Sequence, residues 1–170
     1  MTLRRANRKQ QKYADQAAYY AGRAIICTDA KLWPEAATNY GSSLESLLRI
    51  RFGEGPKLVA LVQKFDSDSL FDGISMHEGE TQRCPTCLAD NLRKLRNAVH
   101  PDCWRDATEQ DVKRAQGIVL AIYHALVSCG GTRIADFKTP PQSVLVELDS
   151  QGVLHSSECP AGNDAGTDKK

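Results

Sequence analysis

The sequence predicts an all-α bundle of four to five helices with a small β-hairpin appended near the C-terminus. Three observations predict it. Apolar residues return at three- and four-residue steps through successive segments. Prolines and glycines fall where those segments would start and stop. Only beyond Pro140 does the pattern turn β-prone. A chain of 170 residues suits one domain with a real core and is short for two.

The first helix is expected from about Arg8 to Cys27, a stretch rich in Ala, Gln and Tyr in which Tyr13, Ala17, Tyr20, Ala21 and Ala24 share a face. The second starts near Pro34, where a missing N–H costs little, and repeats Ala37, Tyr40, Leu44, Leu47, Leu48 and Ile50 until Gly53 and Gly55 end it. Its small residues, Ala36, Ala37, Gly41, Ser42 and Ser43, would let another helix come close. Gly41 inside a helix costs roughly 1 kcal/mol against Ala, so close packing is the motive for it.

A shorter helix is expected from Pro56 to Phe65, with Leu58, Leu61, Val62 and Phe65 on one face. The polar, Gly-containing DSDSLFDGISMHEGETQRCPTC reads as a long loop holding a short turn at Leu70 to Ile74. A fourth helix carries LRKLRNAVHP. A fifth opens on a capping-box-like Thr108 and Asp111, buries Val112, Ala115, Val119, Ile122 and Leu126, and stops at Gly130 and Gly131. The organisation expected is a helical domain over 1–138, a hairpin extension over 139–158 built on SVLVELDSQGVLHSS, and a disordered tail over 159–170.

Lys plus Arg number 22 against 21 for Asp plus Glu, a formal net charge of +1, so no global basic field marks a nucleic-acid binder and any such contact must be local. The N-terminal MTLRRANRKQQK is basic but lacks the apolar run of a signal peptide, and no window approaches a membrane span. A cytoplasmic protein with no membrane contact is expected. In that reducing setting the six cysteines read as free thiols or metal ligands rather than a disulfide scaffold.

The local basic feature is LRKLRNAVHP. On a helical wheel Leu92, Leu95 and Val99 lie within roughly 40° of Leu88, while Arg93, Arg96 and His100 gather at roughly 80° to 140°, with Asn97 somewhat further round. Two guanidiniums and an imidazole thus share one edge beside buried ground. Neighbouring positive charge disfavours the imidazolium and attracts phosphate. A histidine so tuned can move a proton at a ribose 2′-hydroxyl or a leaving oxygen, and an arginine can hold the phosphate during transfer. RNA supplies its own nucleophile, so this chemistry needs no metal cofactor. The plainer account is a solvated helix edge with a helix stop before Pro101.

EAATNYGSSLESLLR followed by ADNLRKLRNAVHPDCWRDATEQDVKRA resembles the HEPN superfamily (higher eukaryotes and prokaryotes nucleotide-binding), in particular its uncharacterised bacterial branches, over about Ala17 to Ser128. The resemblance implies a HEPN-like helical bundle that pairs as a homodimer, with a polar helix of each copy facing the other. It implies RNA as partner. It also implies metal-independent ribonuclease activity, or none, in a toxin–antitoxin, phage-defence or stress system with an antitoxin or similar partner. Family motifs place an Arg and a His with four to six residues between them, the Arg often followed by a polar residue. Arg96-Asn97 matches the Arg-polar pair, although only three residues separate Arg96 from His100, whereas Arg93 has six. The resemblance therefore assigns catalysis to His100 and Arg96, positioning to Asn97, and an alternate role to Arg93.

A second constellation is HEGETQRCPTCLADN. Cys84 and Cys87 have zinc-knuckle spacing, His77 lies upstream and Cys103 follows the motif helix, so four N or S groups would close a structural zinc site, with two ordinary thiols as the plainer account. A thioredoxin-like use of CPTC lacks the preceding strand of a βαβ unit. His124 reads as a packing residue, His155 as a surface residue, and Trp33 and Trp104 as anchors of their turns. Two functions therefore stand side by side, an RNA-binding or RNA-cleaving dimer and a non-catalytic dimerisation or regulatory module with or without zinc.

Overall fold

The structure is a computed structural model and describes residues 8–97 and 106–129. Five helices are found among them: α1 (Arg8–Asp29), α2 (Trp33–Phe52), α3 (Leu58–Ser67), α4 (Pro85–Asn97) and α5 (Glu109–His124). A strand pair, β1 (Met76–Glu78) and β2 (Thr81–Arg83), lies between α3 and α4, and α5 runs on into a wider turn at Ala125–Cys129. No helix among the described residues is long and apolar enough to cross a membrane.

α2 is the central element, packed against α1, α3, α4 and α5. Its composition follows from that position. A helix covered by four neighbours must be buried nearly all round, and α2 buries Ala36, Ala37, Tyr40, Leu44, Leu47, Leu48 and Ile50 together with Ser43, Glu45 and Ser46. α1 needs only one contact stripe. Tyr13, Ala14, Ala17, Ala21 and Ala24 supply it, and their mostly small side chains bring α1 near enough for Ser43 Oγ to donate to the Ala17 carbonyl at 2.9 Å. Lys31, at φ 58°, turns the chain between the two helices, and Pro34 follows in the first turn of α2.

α2 ends at Gly53, whose φ of 80° suits glycine and whose N–H closes on Arg49 O at 2.9 Å. α3 begins at Leu58, two residues later than the sequence suggests, because Lys57 is still extended beyond Pro56. It buries Leu58, Leu61, Val62 and Phe65, and the Phe65 and Phe71 rings lie 4.9 Å apart. The expected turn near Leu70 is a 3₁₀ turn at Ser69–Phe71, capped by Asp68, whose carboxylate also receives Arg51 of α2 at 2.9 Å.

The long loop expected before α4 contains an antiparallel hairpin instead. Met76 pairs with Arg83, His77 with Gln82 and Glu78 with Thr81, leaving Gly79 and Glu80 as the turn, with Gly79 at φ 60°. Three-residue strands reading MHE and TQR carry too little apolar alternation to announce themselves. A tertiary tie holds the pair. Glu78 accepts from Arg114 of α5 at 2.7 and 2.9 Å, from Arg83 Nε at 2.6 Å, and from Gln110.

α4 buries Leu88, Ala89, Leu92 and Leu95, the stripe the wheel predicts. α5 opens on the full capping box, with the Thr108 side chain accepting from Asp111 N–H and the Asp111 carboxylate from Thr108 N–H. The hairpin and tail expected over 139–158 and 159–170, the domain limit at 138, Trp104 and His155 lie outside the described residues.

Candidate functional site

The basic edge of α4 meets α2 at a gap made by glycine. Gly41 is buried beneath Arg96, and a Cβ at position 41 would stand 2.7 Å from Arg96 Cβ. With no side chain in the way, Arg96 lies across α2 and places Nη1 2.7 Å from Glu45 Oε2. The other oxygen of the same carboxylate lies 2.5 Å from Arg49 Nη2, one turn along α2. The Arg49 guanidinium in turn sits over the Tyr13 ring of α1, 5.9 Å from its centre. Three helices thus converge on one buried carboxylate with two guanidiniums around it.

The charge count decides what this cluster can do. Glu45 contributes one negative charge against two positive ones, so the group keeps one positive charge after its internal pairing. Arg96 is about a third exposed, enough to present guanidinium edges outward while Glu45 fixes its direction. Arg49 Nε is buried with no hydrogen-bond partner among the described residues.

A second carboxylate on the same helix repeats the arrangement. Asp90 receives Arg93 Nε at 2.7 Å and Lys94 Nζ at 2.8 Å, and these two partners, Lys94 first, hold its carboxyl below the usual range. Around α4, four cations (Arg49, Arg93, Lys94 and Arg96) therefore face two carboxylates. The two arginines do share a partly buried edge next to the core, as the wheel predicts, but each is held by a partner. Asn97 is exposed at the end of the helix. His100 lies outside the described residues.

The partners Glu45, Arg49 and Asp90 escaped the sequence reading. Asp90 had a local signal, standing three and four residues before Arg93 and Lys94. Glu45 had a weaker one, a lone carboxylate inside the apolar run SLESLL. A buried acid on a central helix calls for a cationic partner.

The four expected zinc ligands are not assembled by the described residues. His77 Nε2 lies 3.0 Å from Ser75 Oγ, its strand pairing with β2. Cys84 immediately precedes α4, and its Sγ accepts from the Cys87 N–H at 3.2 Å. A hydrogen bond to Cys84 is the largest of the effects that raise the Cys87 thiol above its usual value, followed by partial burial and then by the negative charge of Cys84, Asp66 and Asp90. Among the described residues no three His, Cys, Asp or Glu side chains come together as a metal-holding group. Cys103 lies outside those residues. His124 ends α5 with its ring edge-on to Tyr123 at 5.3 Å, and partial burial lowers its pKa.

No protein-family model matches the chain, and neither the curated proteins nor the solved structures contain a significant match to it.

Proposed function

We propose that the protein is a HEPN-like RNA-binding module in which the α4 edge of two paired copies contacts RNA phosphates, with Arg96 as the anchoring guanidinium and His100 as the proton-transfer group of a metal-independent ribonuclease. The observation that carries the proposal is the Glu45 cluster. One buried carboxylate aligns two guanidiniums and leaves a positive surplus at the surface end of Arg96. Such a guanidinium is already oriented, so less side-chain freedom is lost when it takes up a phosphate.

In this scheme Arg96, or Arg93 as the alternate, holds the scissile phosphate while Asn97 positions it. His100 takes the 2′-hydroxyl proton or protonates the leaving 5′-oxygen, and the 2′-oxygen displaces it within the same strand. The polar α4 edge of the second copy completes the site. The defining experiment is cleavage of mixed RNA substrates in EDTA by the parent protein and by folded His100→Ala and Arg96→Ala variants. Activity in the parent that is lost in both variants supports the ribonuclease. Equal cleavage by all three, or none by the parent, removes it.

A second reading has its own observation. Both arginines of the motif already have intramolecular carboxylate partners, which is what a structural helix edge also requires. A non-catalytic HEPN-like dimerisation or regulatory module would keep the apolar faces and this ion network and dispense with His100. RNA affinity without cleavage is an outcome of the same assay and leads to the binding module; neither affinity nor cleavage leads to the scaffold.

A further inference from the structure

We propose that Cys84 and Cys87 form a redox-active dithiol that closes reversibly to a disulfide at the start of α4. The placement is set by the chain itself. Pro85 begins the helix, and the Leu88 N–H makes the first helical bond to the Cys84 carbonyl at 3.1 Å, so Cys84 is the N-cap residue. Its sulfur then does what a capping oxygen does elsewhere, accepting from the N–H of Cys87 at 3.2 Å. The hydrogen bond brings the Cys84 sulfur to the backbone of the very residue that carries the other thiol. Both cysteines are exposed to solvent.

Two features make this pair suited to exchange chemistry. A sulfur at a helix N-terminus, accepting a backbone N–H, is stabilised as the thiolate, and the thiolate is the nucleophile. Residues three apart at a helix start also have Cα atoms within the span of a disulfide, and Cys84, standing ahead of the helix, keeps the torsional freedom to close it. The partner residues hold the place without blocking it. Thr86 Oγ1 donates to Asp66 at 2.6 Å, tying the first turn of α4 to α3, and neither sulfur takes part in that bond.

The oxidant is a small-molecule disulfide. The Cys84 thiolate attacks one sulfur of the oxidant, breaking its S–S bond, forming a mixed disulfide and releasing one thiolate. Cys87 loses its proton and attacks the Cys84 sulfur, breaking the mixed disulfide and releasing the second thiolate. The protein gives up two electrons and two protons, and the oxidant becomes two thiols.

Trypsin cleavage after Arg83 and Arg93 places both cysteines in one peptide, CPTCLADNLR, so mass spectrometry reads the pair directly. The full chain is equilibrated with oxidised and reduced glutathione at a series of ratios, quenched by alkylation and digested. The expected result is that this peptide passes reversibly from two alkylated thiols to an internal disulfide. In Cys87→Ser the mixed disulfide builds up on Cys84 about tenfold faster than it does on Cys87 in Cys84→Ser, following the helix-terminus effect on thiol reactivity. The proposal is overturned if both cysteines take up glutathione at equal rates with no internal disulfide. It is equally overturned if the purified protein carries stoichiometric zinc that protects both thiols from alkylation until a chelator is added.

Discussion

Gly41 lies directly under Arg96, so close that a methyl group on it would stand 2.7 Å from Arg96 Cβ and 3.0 Å from Cδ. The contact involves the first carbon of the Arg96 side chain, which cannot swing away without moving α4. Gly41→Ala therefore sets a gain of roughly 1 kcal/mol in helix propensity against overpacking of about 1–3 kcal/mol. Net destabilisation of up to about 2 kcal/mol is expected in urea unfolding. A more stable Gly41→Ala protein would show that α4 does not lie where the structure places it.

Glu45→Gln keeps the shape of the side chain and removes the charge shared by Arg96 and Arg49. Hydrogen bonds to charged groups contribute about 1.5–3 kcal/mol, so a loss in that range is expected at neutral pH. Restoring neutrality should reduce it. The double variant Glu45→Gln, Arg49→Gln is expected to lose less than the two single changes summed, because the residues are in contact. Strict additivity in denaturation curves would mean that the cluster is not coupled.

Glu78 ties the hairpin to α5 and has a pH signature. The hydrogen bond from Arg114 is the largest of the effects on its carboxyl, and with Arg83 it outweighs burial and holds the folded-state pKa below the ordinary 4.5. A group depressed on folding stabilises the protein above its unfolded pKa, and that contribution disappears as pH falls through the folded value. The melting temperature of the parent should therefore exceed that of Glu78→Gln at pH 7, and the difference should close in acid below the ordinary carboxylate range. A gap that persists unchanged in acid would rule out Glu78 ionisation as its source.

Helix α5 depends on its reciprocal cap. Thr108→Ala removes the acceptor for Asp111 N–H and should cost about 1 kcal/mol, whereas Thr108→Ser should cost much less. Equal losses in the two variants would separate the effect from capping.

The sequence makes the helices legible because they repeat a local rule. The stripe Leu88, Leu92, Leu95 and the pair Thr108 and Asp111 depend on spacing alone, and the structure has them as read. Gly41 was readable as a close-packing site, but not that Arg96 occupies the gap, since that depends on how α4 crosses α2. The hairpin at Met76–Arg83 escaped for a related reason. Its strands are short and polar, and Arg114, 36 residues away, holds its turn end through Glu78. The same holds for the site, where α4 offers two arginines in plain view and their carboxylate partners become evident only on folding.

The account turns on whether Arg96 contacts phosphate. Its most direct test is the salt dependence of binding to a single-stranded RNA whose 2′-hydroxyls are methylated, so that it binds and is not cut. The parent and a folded Arg96→Gln variant are titrated across a range of salt concentrations. The prediction is measurable binding by the parent and, in the variant, weaker binding with a log–log salt slope shallower by about 0.7, the release expected for one lost phosphate contact. Identical affinities and slopes in the two proteins, or no binding by the parent, would contradict it and return the α4 edge to a purely structural role.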